Sequence, residues 1–157
     1  MMRRTRSLLI FLMFASGCGA PLSVHDAAKL GETSRVRTHL DQGGDVNSID
    51  NQGFPLLTNA VRGICDVEMI RLLLLHGADV NGQDAIGWPP IYYAIIVGNK
   101  LDAAQLLFQY GADLNANIGH TSLTLLDIAS DVKNNQAISF IKQHGGKSGQ
   151  NLLETDP

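Results

Sequence analysis

Charge, aromatic residues and cysteine are all scarce in this chain. Charged residues make up 17% of the 157, aromatics 6%, and there is a single tryptophan. Lys and Arg are in no excess, the formal net charge being −3. An acidic chain without a basic stripe excludes nucleic acid as a partner, because that affinity comes from neutralising phosphates. Two cysteines, Cys18 and Cys65, are too few for a scaffold stapled by disulfides. The greasiest run, Leu8–Phe14 (LLIFLMF), falls far short of the roughly 20 residues that a helical membrane crossing needs. What remains is 45% hydrophobic, enough for one modest core.

Catalytic patterns are missing too. The histidines His25, His39, His76, His120 and His144 never pair at the short helical spacing of a zinc site. His76 and His144 stand just before matching glycines, where an imidazole suits a helix C-terminus. Cys65 has no neighbouring His, and Asp66 beside it disfavours a thiolate, so a loop or half-buried thiol is expected. Neither metal nor cofactor is expected. A hydrolase using Cys65 or a histidine is the rival reading, and the chain is expected not to be an enzyme.

The N-terminus reads as an address. A short basic start is followed by the apolar run and then by Ala15-Ser16-Gly17-Cys18. A charged end, a short greasy stretch and small residues describe a cleaved secretory signal. The last four residues resemble the lipobox of bacterial lipoproteins, in which the cysteine is lipidated and the signal is cut just before it. Residues 1–17 are therefore the expected signal and Cys18 the lipidation site; an ordinary cleaved signal with a chance cysteine is the plainer alternative. From Cys18 onward nine Lys and Arg face fifteen Asp and Glu, a net charge of −6. Residues 18–22 form a tether. At roughly 3.5 Å per residue the four after Cys18 reach less than about 20 Å. The resemblance places the chain in a bacterial cell envelope, on the periplasmic side of the outer membrane if the host has two.

The rest of the chain repeats. Gly43-Gly44-Asp45-Val46-Asn47, Gly77-Ala78-Asp79-Val80-Asn81 and Gly111-Ala112-Asp113-Leu114-Asn115 recur at intervals of 34, and Gly145-Gly146-Lys147 is a decayed fourth copy. Before each glycine lies a stretch with apolar residues near i, i+3 and i+4, such as Met69, Ile70, Leu72, Leu73 and Leu74, which predicts a one-sided helix. Earlier in each unit come a small residue and a first apolar stretch, Ala27-Ala28, Ala60-Val61, Ala94-Ile95 and Ala129-Ser130, the small residues letting two helices approach closely. Glycine ends the second helix cheaply in a left-handed conformation. Asp45, Asp79 and Asp113 are paired carboxylates only on paper. Their fixed place in the repeat makes them turn residues that bind backbone amides.

This pattern resembles the ankyrin repeat: a β-turn, a Thr-Pro-Leu-His helix start, an Ala-rich helix, a Leu-rich helix and Gly-Ala-Asp-Val-Asn. The resemblance implies an all-α repeat solenoid of about four stacked helix-turn-helix repeats with short β-turn or hairpin tips. The repeats run approximately over 23–47, 48–81, 82–115 and 116–147, with a flexible tail at 148–157. The family Thr becomes Pro55 and Pro89. The family His becomes Thr58, Tyr92 and Asp127, which leaves its hydrogen-bond network unfilled. Copies two and three carry an extra residue near Cys65 and Asn99-Lys100. The fourth carries its own in Ile118–Ser122. The first copy lacks its turn and is expected to cap the stack.

The resemblance further implies a protein partner, bound through turn tips and the outward side of the first helices on a concave face. The tip candidates are Asn51, Gln52, Phe54, Ala85, Ile86 and Trp88. The helix candidates are Lys29, Leu30, Arg62, Ile96, Val97 and Asp131. Trp88 is read either as an interface anchor or as packing between repeats. The expected function is a membrane-tethered binding module, monomeric, with its partner unidentified. The narrower alternative is an immunity or inhibitor lipoprotein that neutralises a secreted toxin or enzyme, its acidic face suiting a basic target.

Overall fold

The computed structural model describes residues 22–150 of the chain. The expected signal, Cys18 and the end of the tail at 151–157 lie outside the described residues. Eight α-helices, with no extended strand, make up the described part: α1 Val24–Lys29, α2 Thr33–Asp41, α3 Leu56–Arg62, α4 Val67–Leu75, α5 Pro90–Tyr92, α6 Leu101–Gln109, α7 Leu125–Asp131 and α8 Asn135–Gln143. A π-helical turn, Tyr93–Val97, prolongs α5. None of these helices is long and apolar enough to cross a membrane.

The helices pair into four units that stack in two rows. First helices touch first helices, α1 on α3 and α3 on α5 with its π turn, which meets α7. Second helices follow suit, α2 on α4 and α4 on α6. Between the rows lies one continuous core. Ala28, Ala60, Ala94 and Ala129 occupy one register, each the fifth residue past its helix N-cap at Ser23, Pro55, Pro89 or Thr124, and each is buried. Small side chains are needed there because both a partner helix and a neighbouring repeat press on the same spot. The second helices bury the predicted faces, with Leu73, Leu107 and Ile141 in matching places.

The second helices are nine residues each and begin at intervals of 34. Asp66 caps α4 through the amide of Glu68 at 3.0 Å, and Asn134 caps α8 through that of Ala137 at 3.0 Å. At the far end, Gly77 takes φ +85°. Its amide reaches Leu74 O and that of Ala78 reaches Leu73 O, which satisfies carbonyls the helix leaves open. Gly43, Gly111 and Gly145 repeat this stop. His76 and His144 donate from Nδ1 to Leu72 O and Phe140 O in the last turns.

The extra residues of copies two to four are accommodated elsewhere. Gly31, Cys65, Asn99 and Lys133 hold positive φ at the loop between each pair of helices, again 34 residues apart. In copy three the amide of Gly98 reaches back to Tyr93 O at 2.9 Å, the bond that defines the π turn. The fourth copy spends its extra residue in its tip, where both Gly119 and His120 have positive φ. Past the last repeat, Gly149 N donates to Asp127 Oδ2 at 2.9 Å, which ties residues just beyond 147 back onto α7.

Candidate functional site

The tips of copies two and three are tight hairpins, each turned around one aspartate. Asp50 Oδ1 accepts the amides of Gln52 and Phe54, both at 2.9 Å. Asp84 Oδ1 accepts those of Ile86 and Trp88, both at 3.0 Å. The turn closes when Gly53 N and Gly87 N reach Asp50 O and Asp84 O. Neighbouring tips join through Ala85 N to Gly53 O at 3.1 Å and Gly119 N to Gly87 O at 3.0 Å. A Cβ on Gly53 would stand 2.5 Å from that of Ala85, so glycine is what lets the tips stack.

The second oxygen of each tip aspartate anchors it to the helix behind. Asn59 Nδ2 donates to Asp50 Oδ2 at 2.8 Å, and the Tyr93 hydroxyl donates to Asp84 Oδ2. The resemblance places this partner at Thr58 and Tyr92. In the structure it comes one position later, at Asn59 and Tyr93. Thr58 is buried with its hydroxyl unpartnered, and Tyr92 instead packs against Trp88. In copy four the same register holds Asp127 itself, which accepts from Thr124 N and Gly149 N.

These contacts set the charge states. Burial alone would raise the Asp50 carboxyl. Hydrogen bonds from Phe54, Asn59 and Gln52, with help from Lys29, outweigh it and bring the group down to about 2. Burial, with the bond to Asp84, pushes the Tyr93 phenol well above its ordinary value. Burial likewise raises the Cys65 thiol against the pull of Lys100. That half-buried thiol is held in its neutral form.

The expected binding residues form one row across the tips and first helices, but they do different things there. Lys29 pairs with Asp50 at 3.4 Å. The guanidinium carbon of Arg62 stands over the Phe54 ring, 3.7 Å from its centroid, and 5.2 Å from that of Tyr93. Phe54 is thus half-covered, with its edge toward Tyr93. Trp88 is packed on Tyr92 with centroids 4.4 Å apart, and its indole nitrogen closes on Gly119 of the next tip. Ile96 is half-buried against the core. Ile86 and Val97 stand free, 51% and 65% exposed, as does Leu30 at 53%. Asn51, Gln52, Ala85 and Asp131 are exposed.

The row opens into a cleft of about 340 Å³ between copies one, two and three. Lys29, Gln52, Arg62, Tyr93, Val97 and Lys100 line it. Tyr93 and Lys100 escape sequence reasoning. The Tyr93 position reads as helix core, and Lys100 reads as loop. The Lys100 ammonium donates to Val61 O and Gly63 O, both at 3.0 Å, and so caps the end of α3 from the next repeat. Gly63 forms the floor. A Cβ there would lie 2.1 Å from Lys29 O, so the backbones of α1 and α3 meet directly.

A family model described as Ankyrin repeats (3 copies) matches residues 24–118. No curated protein matches the chain.

Proposed function

The chain belongs to the ankyrin-repeat family, and from that premise we propose that it is a membrane-tethered protein-interaction module of a bacterial cell envelope. Ankyrin repeats generally mediate protein–protein interaction, and the family is typically non-enzymatic. The partner docks on the row of tips and first helices. One observation carries this reading: Ile86, Val97 and Leu30 stay exposed on a rigid frame whose neighbouring aromatics are already packed. Exposed apolar groups carried on a folded backbone and rimmed by polar ones suit an interface, because little backbone entropy is left to lose on binding.

Tethering rests on Ala15-Ser16-Gly17-Cys18 and the apolar run before it. The repeats begin at Ser23, the N-cap of α1. The short span from Cys18 to Ser23 then holds the module against the lipid surface, where it acts as a monomer. The test pairs two variants in the native host. Cys18→Ser should release the protein from the membrane fraction and abolish incorporation of labelled palmitate. A photo-crosslinking residue at position 86 should trap one envelope protein, whereas the same residue at Arg37 on α2 should not. Membrane retention by the Cys18 variant removes the anchor; identical trapping at both positions removes the docking face.

A further inference from the structure

We propose that the cleft bordered by Lys29, Arg62 and Lys100 receives a carboxylate from an acidic segment of the protein partner. The proposal rests on the docking face described above and names the chemistry of what lies on it.

Three of the nine Lys and Arg among the described residues converge here, in a chain that is acidic as a whole. Each is committed differently. Asp50 meets the charge of Lys29. Lys100 donates to two neutral carbonyls and has no carboxylate partner among the described residues. Arg62 makes no ion pair and no hydrogen bond among the described residues; only the Phe54 and Tyr93 rings hold it.

Held over the Phe54 ring and exposed, the Arg62 guanidinium keeps an N–H edge free to donate. That edge is a planar fork suited to two carboxylate oxygens. Because stacking already orders the side chain, less entropy is lost when the fork is filled. Val97, exposed on the same wall, offers an apolar surface beside it. The row also has a polarity. Lys29 and Arg62 end the first helices of copies one and two, and Asp131 ends that of copy four, so the row is positive at the first two copies and negative at the fourth. An acidic segment is drawn to the near end and repelled from the far one. A basic target, expected from net charge alone, would face the wrong sign at the cleft.

The test pans a random peptide library displayed on phage against the full chain. Recovered peptides should be rich in Asp or Glu beside an apolar residue. A synthetic copy of the most frequent peptide should bind about tenfold more weakly to Arg62→Gln, and weaker still to Arg62→Glu. Gln52→Glu adds a negative charge at an exposed tip without touching the packing, and it should weaken the same peptide by about as much. Arg37→Glu on α2 should change binding less than about twofold. Peptides without acidic bias that are lost on Ile86→Asp would overturn the carboxylate site and leave the docking face standing. Peptides indifferent to Ile86, Gln52 and Arg62 alike would overturn both. Binding to phosphatidylglycerol vesicles that depends on Arg62, with no acidic peptide recovered, would assign the cleft to lipid and overturn the proposal. So would self-association that Arg62→Glu abolishes, since the occupant would then be a second copy.

Discussion

Asn81 accepts the backbone amide of Asp113 through its side-chain oxygen, 2.9 Å away and 32 residues on. Its Nδ2 donates to Gly111 O at 3.1 Å, so one amide side chain pins the next repeat by both of its polar atoms. Asn47 does the same to Asp79 and Gly77, and Asn115 holds Lys147 N at 2.7 Å. A row of asparagines thus staples copy to copy along the glycine stops.

Asn81→Ala should cost about 1–2 kcal/mol, because the freed backbone groups are exposed enough to recover water. Urea unfolding followed by circular dichroism measures it. A loss below about 0.3 kcal/mol would mean that the staple is ornamental.

Stability should fall in acid through Asp50. Its folded value of about 2 lies below the ordinary 3.8, so its contribution is complete above about pH 5. That contribution fades as pH drops through 4 and is gone below about 2. About 1–2 kcal/mol is at stake. Chemical unfolding from pH 6 to pH 2 should be steeper for the native chain than for Asp50→Asn. Parallel curves would show that the tip aspartate adds nothing to the pH dependence.

Gly63→Ala should destabilise by about 2–3 kcal/mol, since its methyl would force α1 away from α3. Gly77→Ala tests a different cause. Its Cβ meets nothing within 4 Å, and only the φ of +85° resists it. A penalty of about 1 kcal/mol is expected there. Thermal melts of the two variants separate crowding from backbone strain. Equal penalties would mean that the close approach of α1 and α3 does not set the cost at position 63.

Trp88 and Ile86 should separate folding from binding. Trp88→Ala opens the contact with Tyr92 and should cost about 2–3 kcal/mol. Ile86→Ala should change stability by less than about 0.5 kcal/mol while weakening partner capture. The reverse ranking in melts and pull-downs would exchange the two roles.

Helix pairs, glycine stops and buried small residues were legible in the sequence because periodicity reports burial directly. The aspartates of the Asn-ended motif read correctly as turn residues; Asn47 N and Asn81 N bond to Asp45 and Asp79. The tip network was expected to go unfilled where Thr58 and Tyr92 replace the family His, yet donors one residue later fill it. Asn59 and Tyr93 look like the wrong chemistry for a family histidine, yet either can donate to an aspartate. The cleft was half legible. Lys29, Gln52, Arg62 and Val97 follow from repeat position, whereas Lys100 reaches the cleft across a repeat boundary, and no local pattern encodes that. The stacking of Arg62 on Phe54 was likewise hidden, being a contact between a helix end and a tip eight residues earlier in the chain.

The first helices differ in length from copy to copy, while the second helices keep strict time at 34 residues. Variation therefore falls on the side of the tips and first helices and leaves the rear wall undisturbed. Such a molecule can change the winding of a first helix, as the π turn at Tyr93–Val97 illustrates, without renegotiating how its units stand behind one another.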